Sequence, residues 1–178
     1  MCHIVGVIGS RSLPARFAPL VDQVVSLFLA RGYSVASGGA VGADSFALSA
    51  VLRQGACSRS VVYSAWSSVS GFPASARPDI ERLIAAGGQV VWGSASVGSP
   101  RPVAVSALLG RNRHLVAASS VVVAFLHGPS RGSLYTIRQA VSRGVPVIVF
   151  ICGSASLPPD LARHCYVFNK PACRQAGR

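Results

Sequence analysis

Four short segments carry the residue types from which an anion site is built: Gly9-Ser10-Arg11, Ser37-Gly38-Gly39-Ala40-Val41-Gly42-Ala43-Asp44, Arg111-Asn112-Arg113 and Arg131-Gly132-Ser133-Leu134-Tyr135-Thr136. Arginine grips phosphate or carboxylate through a planar fork of N–H donors. Glycine and serine loops let backbone N–H groups close on an anion, most of all where the loop opens a helix. The chemistry expected is therefore phosphate recognition. Arg11, Arg111, Arg113 and Arg131 are the cations. Gly9, Gly38, Gly39, Gly42 and Gly132 are points of close backbone approach, and Ser10, Ser37, Asn112, Ser133 and Thr136 supply hydrogen bonds. Tyr135, beside the last loop, is the candidate for stacking on a base, with Trp66 and Phe72 as further aromatics. A carboxylate beside a phosphate repels it, so Asp44 is expected to cap the helix that follows or to grip a sugar hydroxyl or base edge. Arg111 and Arg113 stand two apart on a helix and cannot share a face, so one is expected to point into the crevice while the other anchors Asn112 or a carbonyl.

These segments need strands to hold them. Ile4 to Ile8, Tyr33 to Ala36 and Val121 to Phe125 are short apolar runs, the last rich in β-branched residues as a strand buried on both faces requires. Each ends in a small-residue loop leading into a helix: one near Pro14, one over Ser45 to Gln54, one over Ser133 to Arg143. Further strands are read over Ser60 to Ser64, Gln89 to Trp92 and Val145 to Phe150. Helices are read over Pro78 to Ile84 and around Arg111. The fold class expected is α/β, a single Rossmann-like domain with an open, mostly parallel sheet of about six strands and helices on both faces. The domain spans 1–152, and 153–178 is a basic tail expected to be partly disordered. In such sheets ligands bind outside the carboxyl ends of the strands.

The 178 residues carry 17 basic against 5 acidic side chains, a formal charge of +12, and Lys170 is the only lysine. That excess suits a long polyanion better than a single small anion. No apolar run approaches the roughly 20 residues of a membrane span, and Met1-Cys2-His3 runs straight into the first strand without a signal-peptide pattern, so a cytoplasmic protein is expected. Cys2, Cys57, Cys152, Cys165 and Cys173 show no metal-ligand spacing and their odd number argues against a disulfide framework. Reduced thiols, no metal and no cofactor are expected.

With these residues in order, the chain resembles the DprA/Smf DNA-processing proteins, within the wider SLOG group that includes the LOG enzymes. The four segments match that family's GSR, SGxAxGxD, RNR and GSLxT motifs over roughly residues 4 to 150. The resemblance implies single-stranded DNA as ligand, with Arg11 in contact with it, a homodimer, and a recombinase as possible partner in DNA uptake, processing or recombination. Leu48 stands where the family usually has histidine, and a lysine frequent in its DNA pocket has no counterpart here. The flanking domains that many members carry are not expected.

Two rival classes share the same loops. LOG proteins, nucleoside monophosphate phosphoribohydrolases, have a PGGxGTxxE motif that lays Thr136 where the glutamate belongs. Of the acidic residues Asp22, Asp44, Asp79, Glu81 and Asp160, only Asp44 falls at a crevice loop, so no catalytic residue is assigned. Other SLOG domains bind nucleotide-derived small ligands or molybdenum cofactor, and the phosphate loops would serve that role too.

Overall fold

The computed structural model describes residues 3–170. They form one sheet in the order β4-β3-β2-β1-β5-β6-β7. The strands are β1 Ile4–Gly9, β2 Ser34–Ser37, β3 Ser60–Tyr63, β4 Gln89–Val91, β5 Val121–Leu126, β6 Val147–Cys152 and β7 Cys165–Lys170. Every neighbouring pair is parallel, so each connection must cross a face of the sheet. Helices α1 (Ala18–Ala30), α2 (Ala43–Arg53) and α3 (Arg77–Ala85) pack on one face. Helices α4 (Arg101–Ala118), α5 (Arg131–Ser142) and the single turn α6 (Pro159–Ala162) pack on the other. This is the expected Rossmann-like α/β fold.

Alternation along the central strands fills both cores. Val123 and Phe125 face the first three helices, while Val122, Ala124 and Leu126 face the others. A strand so placed has to be apolar throughout, which is why β5 was readable as an unbroken run. From β1 the chain steps outward through β2 and β3 to β4, then returns over the opposite face by α4 to lay β5 beside β1. The loops after β1 and β5 therefore leave in opposite directions and open a crevice between them.

The return helix packs tightly. A Cβ on Gly6 would fall 2.5 Å from Ser119 Oγ and 2.7 Å from Leu115 Cδ2, and the Ser119 hydroxyl is already committed as donor to the Leu115 carbonyl at 2.7 Å. Glycine in the middle of β1 gives up strand propensity so that α4 can approach.

Against an expectation of about six strands the sheet has seven. β7 arises within the segment read as a tail and pairs with β6 from Val147↔Cys165 to Cys152↔Lys170. It also extends a stack of rings, Phe125 on Phe150 at 5.1 Å and Phe150 on Phe168 at 5.4 Å. As an edge strand it leaves Tyr166 68% exposed, and its short apolar run becomes a strand only through its neighbour. Helices α2 and α5 begin at Ala43 and Arg131, two residues ahead of the expected Ser45 and Ser133. No helix among the described residues is long and apolar enough to cross a membrane. Cys57 and Cys152 are buried free thiols and Cys165 is half-buried; Cys2, Cys173 and the last eight residues lie outside the described residues.

Gly6→Val, a substitution that strand propensity alone would favour, is expected to lower unfolding free energy by about 1–3 kcal/mol through overpacking against α4. Urea denaturation reads this as a lower midpoint at an unchanged slope.

Candidate functional site

A cavity of about 420 Å³ occupies the crevice. Its walls come from four segments: Gly9, Arg11 and Ser12 after β1; Gly38, Ala40 and Asp44 after β2; the face of α4 carrying Val105, Leu108, Leu109, Arg111 and Asn112; and Pro129 to Ser133 with Thr136 after β5. Volume and position fit a ligand site. The fold thus brings together parts of all four sequence segments.

Not every residue of those segments faces the cavity. Ser10 is 1% exposed and serves as a knot. Its hydroxyl accepts the His127 N–H at 2.8 Å, its own N–H donates to the Phe125 carbonyl at 2.9 Å, and its carbonyl accepts the N–H groups of Leu13 at 3.2 Å and Ala43 at 3.4 Å. One residue so ties β1 to β5 and to the start of α2. Gly42 makes the junction possible: at φ +80° it presses its Cα against the backbone of Ser10 and Arg11, where a Cβ would meet the Arg11 carbonyl oxygen at 2.7 Å. Ser37 is buried at the end of β2 and lines no wall. Arg11 is exposed at the mouth.

Behind Arg11, Asp44 Oδ2 and Arg111 Nη1 meet at 3.5 Å, their side chains only 7% and 10% exposed. The same carboxylate oxygen accepts the Ala40 N–H at 3.2 Å. The guanidinium lies on Gly38, at a place where any Cβ would overlap Nη1. Asp44 is therefore not the helix cap that was expected. Gly42 holds the N-cap position; Asp44, the second residue of the helix, reaches back to the loop and across to α4. Burial pushes its carboxyl above the ordinary 3.8, with Arg111, the Ala40 N–H and Arg11 pulling the other way. Arg111 Nε is buried without a hydrogen-bond partner.

Arg113 points elsewhere. It is exposed, its Nη1 is 3.4 Å from the Tyr135 hydroxyl, and neither residue lines the crevice. Tyr135 thus turns towards α4 and is not a platform inside the cavity. Phe72 is 2% exposed and belongs to the core. Ser133 is not a cap either. α5 begins at Arg131 after Ser130, the Ser130 and Ser133 hydroxyls share a hydrogen bond at 2.8 Å, and the Thr136 hydroxyl donates to the Gly132 carbonyl at 2.9 Å. The first-turn N–H groups of Arg131, Gly132 and Ser133 have no acceptor within the helix and stand at the positive end of its dipole beside the cavity. The sequence reading missed the apolar wall of Val105, Leu108 and Leu109. Their spacing with Asn112, at i, i+3, i+4 and i+7, marks one helix face and was visible in the sequence. Among the described residues no group of histidine, cysteine or acidic side chains is placed to hold a metal ion.

A family model, DNA recombination-mediator protein A, matches residues 1–165. The fold is similar to DNA processing protein A from Helicobacter pylori, described for its single-stranded DNA binding mode, at 22% identity and a TM-score of 0.69 over 84% of this chain and 65% of that one. It is similar to DNA processing protein A from Streptococcus pneumoniae at 23% identity and 0.66, over 90% and 53%. The molybdenum cofactor binding protein of Rippkaea orientalis aligns at 17% identity and 0.60, over 84% and 77%. At these identities the likeness is one of fold, and the chain spans less than two thirds of either DNA processing protein. No curated protein sequence matches significantly.

Asp44→Ala at neutral pH leaves Arg111 buried and unpaired, with an expected loss of about 3 kcal/mol in unfolding free energy. Asp44→Asn isolates the charge. A raised folded pKa means that the folded state holds the proton more tightly than the unfolded chain, so this group's contribution to stability falls as pH rises from 3.8 through the folded value. Urea melts across that window should show the stability of wild type relative to Asp44→Asn falling with pH; a rise would mean that Arg111 outweighs burial.

Proposed function

The chain belongs to the DNA recombination-mediator protein A family, and on that premise we propose that it binds single-stranded DNA in the crevice between the β1 and β5 loops, without catalytic turnover. The observation that carries this reading is the convergence of Arg11, Arg111, Arg131 and the first-turn N–H groups of α5 on one cavity. Arg11 and Arg131, both exposed, would contact phosphates, with Gly132, open on its side-chain side, letting the backbone approach and Gly9, Gly38, Ser133, Asn112 and Thr136 bordering the path. The surplus charge supports a long polyanion. Asp22, Asp44 and Asp79 are each engaged by an arginine, so most arginines have no carboxylate partner among the described residues. Neutralising several phosphates gives affinity that falls steeply with salt. Self-association and a recombinase partner belong to the same reading and rest on family resemblance; a cytoplasmic location belongs to it as well.

A cavity of about 420 Å³ also fits one nucleotide-sized ligand, and a fold shared with a molybdenum cofactor binding protein makes a small phosphorylated ligand the second reading. Hydrolysis is less well supported. Asp44 is the one carboxylate lining the cavity, and it is held by Arg111 and Ala40.

Fluorescence anisotropy with labelled single-stranded and duplex oligonucleotides, titrated at several salt concentrations with AMP and GMP as competitors, tests both. Tight single-strand binding with a steep salt slope, unmoved by excess mononucleotide, is the expected result. Arg11→Ala should weaken binding across sequences and reduce the salt slope by about 1. Displacement by a mononucleotide would favour the second reading, and an unchanged affinity would remove Arg11 from the site.

A further inference from the structure

Charge is distributed unequally between the two helical layers. The acidic residues are Asp22, Asp44, Asp79, Glu81 and Asp160. Asp22, Asp79 and Glu81 lie on α1 and α3, and Asp44 turns inward from α2 to Arg111. Helices α4 and α5 hold five arginines and no carboxylate. These two helices pack side by side. Each connects parallel strands, so both start at the carboxyl edge of the sheet and run away from it in the same direction. The groove between them therefore leads out of the crevice. On α4, Leu109 lines the crevice and Arg113, at i+4, lies one turn further out on the same face. On α5, Arg131 lines the crevice, and Tyr135 and Arg138 continue from it at i+4 and i+7. The residues that α5 buries, Ser133, Thr136, Ile137 and Ala140, lie on the opposite side of the helix. Across the groove, Arg113 Nη1 donates to the Tyr135 hydroxyl at 3.4 Å. Arg113, Arg131 and Arg138 are exposed, and among the described residues none of them is paired with a carboxylate.

We propose that this groove is an exit track for the strand, in which phosphates beyond those held in the crevice lie between Arg113 and Arg138, over the hydroxyl of Tyr135. The inference rests on the proposed binding of single-stranded DNA and extends that site to a second set of residues. Arg138 stands two turns beyond Arg131, roughly 10 Å along the helix axis, which leaves room for a short run of phosphates past the rim. Because the Tyr135 oxygen accepts from Arg113, its own proton is free to go to a phosphate oxygen. Contacts of this kind position a nucleic-acid backbone without reading its sequence. A second copy of the chain does not suit the surface, since two faces without carboxylates would bring like charges together.

Oligothymidylates of increasing length, titrated at several salt concentrations against wild type and Arg113→Ala/Arg138→Ala, test the track. Both side chains are exposed and neither lines the crevice, so the shortest strands are expected to bind the two proteins alike. Longer strands should bind wild type more tightly and with a steeper salt slope. The variant should lose that gain, its slope falling by about 1.4 for two phosphates released at roughly 0.7 each. Arg31→Ala/Arg82→Ala removes the same charge from the opposite layer and should keep the length dependence of wild type. A long strand carrying neutral methylphosphonates beyond the shortest bound length should bind wild type as weakly as the variant binds the natural strand, with no further loss when the two changes are combined. Coincident curves for wild type and Arg113→Ala/Arg138→Ala at every length overturn the track and leave the crevice standing. An equal loss in Arg31→Ala/Arg82→Ala does the same, because the effect is then one of net charge. A wild-type affinity that does not grow with length overturns the track as well, and assigns its arginines to another anionic partner such as an acidic protein segment. Binding of no strand at any length overturns crevice and track together.

Discussion

A carboxylate and a guanidinium removed together from water are costly unless each finds further partners, and the Asp44–Arg111 contact is where this structure accepts that cost. It joins the first turn of α2 to the middle of α4, two helices on opposite faces of the sheet, at the carboxyl ends of the strands. Much of the surrounding geometry is a condition for that contact. Gly38 has no side chain because the guanidinium lies there, and the Ala40 N–H turns inward to share the carboxylate. With Arg111 held, the apolar face of Leu108 and Leu109 is set as the wall of the crevice.

The pair also divides labour among the arginines. Arg111 faces Asp44 as well as the crevice, so part of its charge is engaged within the protein and its side chain helps to shape the cavity. Arg11 and Arg131 remain exposed at the rim and carry the unbalanced charge a phosphate chain would meet. The amides at the start of α5 add a partial charge fixed by the backbone and independent of side-chain rotamers. A site assembled in this way is positive at its mouth and backed by a buried ion pair at its base.

Much of this was legible along the chain because it is local. Val121 to Phe125 had to be apolar throughout to lie between two helical layers. The four segments were readable because glycine and serine at strand ends leave few alternatives to a tight turn into a helix. The reading failed where a residue's role depends on what another part of the chain brings to it. β7 is a strand only because β6 offers an edge and Phe150 offers a ring to Phe168. Tyr135 looked like a stacking platform by its distance from the phosphate loop, yet its position on α5 turns it to Arg113. Asp44 looked like a cap by its place at a helix start, and only the arrival of α4 from the far edge supplies Arg111.

What the sequence by itself determined is the parallel α/β architecture, the family, and the set of segments from which the crevice is built. Each of these is written in short-range patterns: strand periodicity, glycine at turns, and charge composition. Tertiary structure alone decided which members of those segments line the cavity, that Ser10 and Ser37 are buried, and that an apolar stripe of α4 walls the crevice. The physical reason is the crossover from β4 to β5. It carries α4 past β3, β2 and β1 and sets side chains from positions about 70 residues apart into contact, a separation over which no local pattern in the chain can signal.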